Sequence, residues 1–398
     1  MFNPLKALAS CTPIGCPQGG VNTPIFTSST FKTDSPSKME ALFNGEAENP
    51  GFLYGRHFHP NAVQYGTRLA AMEAVEMAYP TASGMAAISV TINQLTSPGD
   101  HIVSSSNIYG GSFALFKDLY ADRLVKVDFV LPNRPDMVLE KINDKTKVVY
   151  LEMFANPTLQ VAHFQEISKI CKERDIKLVV DNTFTPMIIT PSLHGADITV
   201  YSCTKYLNGS SDIVAGAICA DSEFINSIMD LNSGKLMLNG ACATPTVAWQ
   251  LDMKLNDLHL RMNAHSKRAS TLASEAEKLG KFQVFYPGLK SHADHNEALK
   301  YINIGYGFSG ILAIDLETKA NSEKFVISLI EKGLAHNAVS LGYFDTLVSV
   351  SSSSTSSEVD PETLKANKIS DGLVRISVGY TGYFDDQLNE ILNSLYKI

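Results

Sequence analysis

Apolar and polar residues alternate from Ala196 to Cys203, and the run is rich in β-branched side chains. That pattern predicts a short buried strand that delivers Ser202, Thr204 and Lys205 at its carboxyl end. Strand-like and helix-like periods trade places through the middle of the chain. His101–Ser104 precedes a helical Gly111–Tyr120, Leu124–Val130 precedes Met137–Ile142, Lys147–Leu151 precedes Phe164–Glu173, and Ile176–Val180 leads on to the strand at Ala196. Strands separated by helices need right-handed crossovers, so the prediction is a mainly parallel sheet covered by helices on both faces. Upstream, a helix is predicted from Asn61, taken as its N-cap, through Leu69, Met72 and Val75. A second should open near Thr81-Ala-Ser-Gly-Met85 and carry Ile88, Ile92 and Leu95.

The alternation stops at about residue 245. Long helical stretches fill Trp249–Leu279, antiparallel-looking strands follow at Phe282–Phe285, Ile311–Leu316, Thr346–Val350 and Leu373–Val378, and an amphipathic helix closes the chain over Asp385–Tyr396. The first sixty residues differ from both regions. Gly19-Gly20, Thr23-Pro24 and Thr27-Ser-Ser-Thr30 describe an extended arm with no core of its own, which packs on its own chain or reaches a second subunit. The expected fold class is therefore α/β in three parts: an arm over 1–60, a large domain over 61–245 and a smaller C-terminal α/β domain over 246–398. With 398 residues and 44% hydrophobic content the chain can bury a core of that size.

A formal net charge of -8 supplies no basic field, which argues against nucleic acid or anionic lipid as a partner. No apolar run is long enough to span a bilayer, and Met1-Phe-Asn-Pro-Leu-Lys lacks a signal-peptide pattern, so the cytoplasm is the expected location. Six scattered cysteines do not make a disulfide framework. Neither Cys11 with Cys16 nor His57 with His59 completes a ligand set, and no metal is expected.

Sites in parallel sheets lie outside the carboxyl ends of strands, where Asp181, Lys205 and the residues after Ile102 fall. A lysine held there, partly out of water, suits Schiff-base chemistry; it could equally end a strand and face solvent. Ser83-Gly84-Met85 opens a helix whose free N–H groups favour a phosphate, or is simply a helix start. Asp181 could keep a heteroaromatic nitrogen protonated, or cap the turn to Asn182. Tyr109 offers a ring for stacking beside two glycines, or is a core tyrosine. Together these are the parts of a pyridoxal 5'-phosphate (PLP) site. Gly305-Tyr-Gly-Phe-Ser-Gly310 matches a dinucleotide fingerprint by letters, but a strand-like run follows it, so no phosphate cradle is expected.

Thr23-Pro-Ile-Phe26, Tyr54-Gly-Arg56, Ser83-Gly-Met85, Tyr109-Gly110, Asn156-Pro-Thr158, Val180-Asp-Asn-Thr183, Ser202-Cys-Thr-Lys-Tyr-Leu-Asn-Gly209, Tyr286-Pro-Gly-Leu289, Ala338-Val-Ser-Leu-Gly342 and Gly372–Gly379 occur in that order. With them the chain resembles, along almost its whole length, the Cys/Met-metabolism family of PLP-dependent enzymes. The resemblance implies an aspartate aminotransferase-like, fold type I architecture. It implies Lys205 as the amine that carries PLP, Asp181 on the pyridine nitrogen and Asn156 near the phenolic oxygen. Ser83, Gly84, Met85, Ser202 and Thr204 become the phosphate cradle, completed by Tyr54 and Arg56 of a neighbouring subunit in a homotetramer built as a dimer of dimers. Arg375 and the backbone around Ser340 become the clamp for the substrate carboxylate, and Tyr109 a proton donor to the leaving group.

Within the family the chain is most similar to plant-type methionine γ-lyases, in Tyr54–Pro60, Ser340–Leu347, Ser352–Glu358 and Ser377–Tyr380. It differs from bacterial methionine γ-lyases at Gly111, where those carry a cysteine, and from most of the family at Val350–Ser353, where His-Pro-Ala-Ser is usual. Both places border the expected substrate side chain, with Tyr54 and Asn156 also near it. The serine-rich stretch 349–357 is either a wall of the site or a flexible loop. The implied reaction is γ-elimination of a small sulfur-containing amino acid, L-methionine, to methanethiol, 2-oxobutanoate and ammonia. The alternatives are O-acetylhomoserine sulfhydrylase and then cystathionine γ-lyase.

Overall fold

The computed structural model describes residues 2–12, 14–16, 19–44, 51–351 and 370–398. Seven strands build the larger sheet: β1 (Met77–Thr81), β2 (His101–Ser105), β3 (Lys126–Val130), β4 (Thr146–Glu152), β5 (Lys177–Asp181), β6 (Ile198–Ser202) and β7 (Gly216–Ala220). Their order is β1-β7-β6-β5-β4-β2-β3. The run from β3 to β6 is parallel, and β7 lies antiparallel to both of its neighbours. Side chains that alternate along a strand feed two cores. Val149, Leu151, Leu178 and Val180 enter one layer, and Val148, Tyr150 and Val179 enter the other. This double burial explains why the middle strands read as nearly continuous apolar runs.

The periodicity missed β1 and β7. β1 contains Pro80, which normally argues against a strand, but β1 is an edge strand, where a missing N–H is tolerated. β7 is made of small residues, Gly-Ala-Ile-Cys-Ala, with little strand signature. The predicted N-cap at Asn61 is also corrected. The helix is Pro60–Glu73, capped by His59, whose side chain accepts from the N–H of Asn61. The Asn61 side chain instead ties down the arm, accepting from the N–H of Phe26 and donating to the carbonyl of Pro24.

The second sheet runs β10-β11-β12-β9-β8, from β8 (Gln283–Phe285), β9 (Ile311–Asp315), β10 (His336–Asn337), β11 (Leu347–Val350) and β12 (Leu373–Ser377). It is antiparallel except where β10 joins β11. Leu312, Ile314, Val348, Val374 and Ile376 pack on Leu272, Phe325, Leu329 and Leu395 from the helices Leu258–Lys278, Lys319–Glu331 and Phe384–Tyr396. Gly310 leads straight into β9, as expected for a turn entering a strand. Among the described residues no helix is long and apolar enough to cross a membrane. Cys11, Cys171, Cys203, Cys219 and Cys242 are free thiols. Residues 352–357 of the serine-rich stretch lie outside the described residues, so the choice between wall and loop does not arise from the structure.

Candidate active site

A cavity of about 240 Å³ opens where the carboxyl ends of β4, β5 and β6 face the smaller sheet. Its cradle end is the amino terminus of the helix Gly84–Leu95. Ser83 is extended and accepts from the N–H of Ala86, so its hydroxyl is used as the N-cap. The first-turn N–H groups of Gly84 and Met85 have no intrahelical acceptor. Gly84 is required by proximity. A methyl group at its Cα would sit 2.7 Å from Ser202 Cβ and 2.9 Å from Ser202 Cα. Beyond Ser202, the Thr204 hydroxyl accepts from the N–H of Ala215 at 3.0 Å and donates to its carbonyl at a longer 3.3 Å.

Asp181 ends β5. Its carboxylate accepts from the N–H of Thr183 at 2.9 Å and from the Tyr150 hydroxyl at 3.4 Å. Withdrawal from water raises its pKa, against the pull of Thr183 and Tyr150. A cationic ring N–H is the kind of partner that would restore the charged form. Lys205, half-buried past the end of β6, donates to Ser340 Oγ at 3.0 Å. Burial first and the Arg375 charge second bring its amine down to about 8. Its neutral form, rare for an ordinary lysine, is thus about a tenth of the population at pH 7.

Arg375 is buried in the middle of β12, where burial pushes its pKa down to about 10, so it stays charged. It donates to Asn156 Oδ1 at 3.2 Å and to the carbonyl of Ser340 at 3.1 Å. Tyr109 is 47% exposed and precedes the helix Gly110–Ala114. Gly111 is not in the cavity wall but closes on Tyr109 from behind, since a methyl group there would meet the ring at 2.6 Å. Tyr54 and Arg56 do not line the cavity of their own chain. Arg56 donates to the carbonyl of Met237 at 2.9 Å and lies 5.5 Å from the Tyr54 ring centroid.

The remaining predicted residues meet at the cavity: Ser83, Gly84, Met85, Tyr109, Asn156, Asp181, Ser202, Thr204, Lys205, Ser340 and Arg375. Sequence reasoning missed Glu152 and Thr183. The Thr183 hydroxyl accepts from the N–H of Ser202 and so joins β5 to the cradle. Glu152 ends β4 as Asp181 ends β5, and that parallel was the available signal. Burial, then the nearby Asp181, push the Glu152 carboxyl well above its usual range, against N–H donors from Tyr109 and Asn156. Val214, Val339, Leu341 and Ile88 add an apolar wall that the residue pattern did not single out.

These residues fit PLP. A helix terminus closed by glycine against β6, a half-buried carboxyl and an amine of lowered basicity match the phosphate, the ring nitrogen and the aldehyde. The profile of the Cys/Met metabolism PLP-dependent enzymes matches residues 15–395. The chain is 40% identical to the methionine γ-lyase of Arabidopsis thaliana, over 100% of this chain and 91% of the relative. It is 34% identical to the L-methionine γ-lyase of Fusobacterium nucleatum subsp. polymorphum, over 96% and 94% of the two chains. In three dimensions an O-acetylhomoserine (thiol)-lyase of Campylobacter jejuni superposes with a TM-score of 0.91, over 99% of this chain and 100% of that one, at 24% identity.

Proposed function

Because the chain belongs to the Cys/Met metabolism family of PLP-dependent enzymes, we propose that it is a carbon–sulfur lyase acting on L-methionine. The reaction is γ-elimination, in which methionine and water give methanethiol, 2-oxobutanoate and ammonia. One observation carries the choice of substrate. Four charged side chains line the cavity, and each has its place: Asp181 toward the ring nitrogen, Lys205 toward the aldehyde, Arg375 on the carboxylate clamp, and Glu152 on two backbone N–H groups. Val339, 71% exposed, adjoins Ser340 of the clamp, with Val214 and Leu341 also in the wall. An uncharged thioether suits that surface, whereas the second amino-acid head group of cystathionine would find no further charged partner among the described residues that line the cavity.

Bound PLP supplies a sink for the electrons released when the substrate Cα–H bond breaks. Gly84, Met85, Ser202 and Thr204 hold its phosphate, Asp181 its ring nitrogen, and Lys205 its aldehyde until substrate arrives. The Arg375 guanidinium binds the substrate carboxylate while Asn156 limits its rotation. Lys205, with its lowered basicity, takes the α-proton, and Ser340 Oγ steadies its amine. Tyr109 donates a proton to the departing sulfur.

Tyr54 and Arg56 are assigned to the phosphate cradle of a second subunit, in dimers that pair as a homotetramer. Neither residue lines the cavity of its own chain, which supports their use in another subunit's site. The free thiols of Cys11, Cys171, Cys203, Cys219 and Cys242 agree with a cytoplasmic enzyme. Incubation with methionine alone, assaying methanethiol and 2-oxobutanoate together, is expected to show equal amounts of both. Absence of the oxo acid, with O-acetylhomoserine consumed only when sulfide is added, would replace the lyase with a sulfhydrylase.

A further inference from the structure

Glu152 and Asp181 are register partners at the ends of adjacent parallel strands, so two carboxyl groups are withdrawn from water side by side. That arrangement is costly unless each group is hydrogen-bonded or neutralised. Glu152 Oε1 accepts from the backbone N–H of Tyr109 at 2.7 Å, and Oε2 accepts from the backbone N–H of Asn156 at 3.2 Å. Both oxygens of a carboxyl can accept, whereas a glutamine would set its own N–H group against one of these amides. The two amides belong to segments that carry different halves of the reaction. One presents the Tyr109 ring, and the other presents Asn156, whose Oδ1 holds Arg375.

We propose that Glu152 is a positioning residue that fixes Tyr109 and Asn156 relative to each other, so that the proton-donating ring and the carboxylate clamp address the same reacting centre. The roles given to Tyr109 and Asn156 rest on the proposed reading of the cavity. The position of the two segments does not.

Amide hydrogen exchange of the holoenzyme tests this directly. In Glu152→Ala, exchange is expected to quicken about tenfold in residues 106–112 and 153–158, as loss of a hydrogen bond to a buried amide implies. β5, β6 and the helix Gly84–Leu95 should exchange as in the parent. kcat/KM should fall on the order of 10²-fold. In a Tyr109→Phe/Asn156→Ala background the same change should cost less than about threefold, because the groups it acts through are gone. Glu152→Gln keeps the side-chain volume and one acceptor, so it should release one of the two segments, and it serves if the alanine variant does not fold. Unchanged exchange in both segments, a uniform increase across the molecule, or a kinetic loss fully additive to that of the double variant would overturn the proposal. Exchange needs no substrate. If methionine is not cleaved, the kinetic comparison uses the amino acid that the enzyme does turn over, and the two readings are judged separately.

Discussion

Gly84→Ala puts a methyl group where the structure has no room for one. The added carbon would lie 2.7 Å from Ser202 Cβ, 2.9 Å from Ser202 Cα and 3.0 Å from Ser202 Oγ. Carbon–carbon contacts are favourable near 3.5–4.0 Å, so the helix terminus and the end of β6 must part by about 1 Å. Neither side yields easily. Ser202 is paired with Gly216 on β7, and Gly216 is itself pressed against the helix cap, since a methyl group there would meet the Ser83 carbonyl oxygen at 2.2 Å. Overpacking of this kind costs about 1–3 kcal/mol. If it is expressed where the phosphate is held, PLP affinity should fall roughly 5- to 150-fold. Titration of the apo-protein with PLP, followed by the absorbance of the bound cofactor, reads the constant, and the apo melting temperature reads any part of the cost taken up by the fold. A variant with unchanged affinity and unchanged melting temperature would refute the close-approach argument.

Three further outcomes are expected. The Lys205 amine, brought down to about 8, reacts in its neutral form, so the rate at which apo-protein takes up PLP should climb with pH and level off above about 8; a rate still climbing in proportion to hydroxide well beyond that would contradict the assignment. Burial raises the Glu73 carboxyl to about 8, against the Tyr201 hydroxyl that it accepts from. The folded state therefore binds the extra proton, and this contribution to stability is full below about 4.3, the ordinary glutamate value, and is lost as pH rises through about 8. Glu73→Gln keeps an acceptor for Tyr201 and should flatten the fall in melting temperature across that window, and parallel curves for the two proteins would count against it. Arg56→Ala and Lys205→Ala should each be inactive alone. Mixed under conditions shown to exchange subunits, they should recover about a quarter of parental activity, since random pairing makes half the dimers mixed with one intact site in each; no recovery would place Arg56 in its own subunit's site.

The parallel strands were legible because burial on both faces leaves an apolar signature in the residues themselves. β1 and β7 were not, since Pro80 and a run of small residues are acceptable only in the positions that tertiary pairing gives them. Asp181 and Lys205 could be placed from their own strands, at ends where sites collect. Arg375 could not: it lies in the middle of β12, and only partners from distant segments, Asn156 and Ser340, make its burial tolerable. Periodicity is silent about such partners, and family resemblance supplied them. Glu152 escaped for a related reason, because a strand-ending acid that binds two amides has the same letter as one that faces water.

The bond from Lys205 Nζ to Ser340 Oγ joins the turn after β6 of the larger sheet to the connection between β10 and β11 of the smaller one. It gives the molecule a thermodynamic linkage: any change that favours the gap seen here also favours the amine held in place, and any ligand that secures the amine narrows the range of gaps the two sheets sample. Selection acting on either half would therefore be felt by the other. A substitution on the smaller sheet, far from the phosphate cradle, can alter how tightly the cofactor is retained without touching an atom of it.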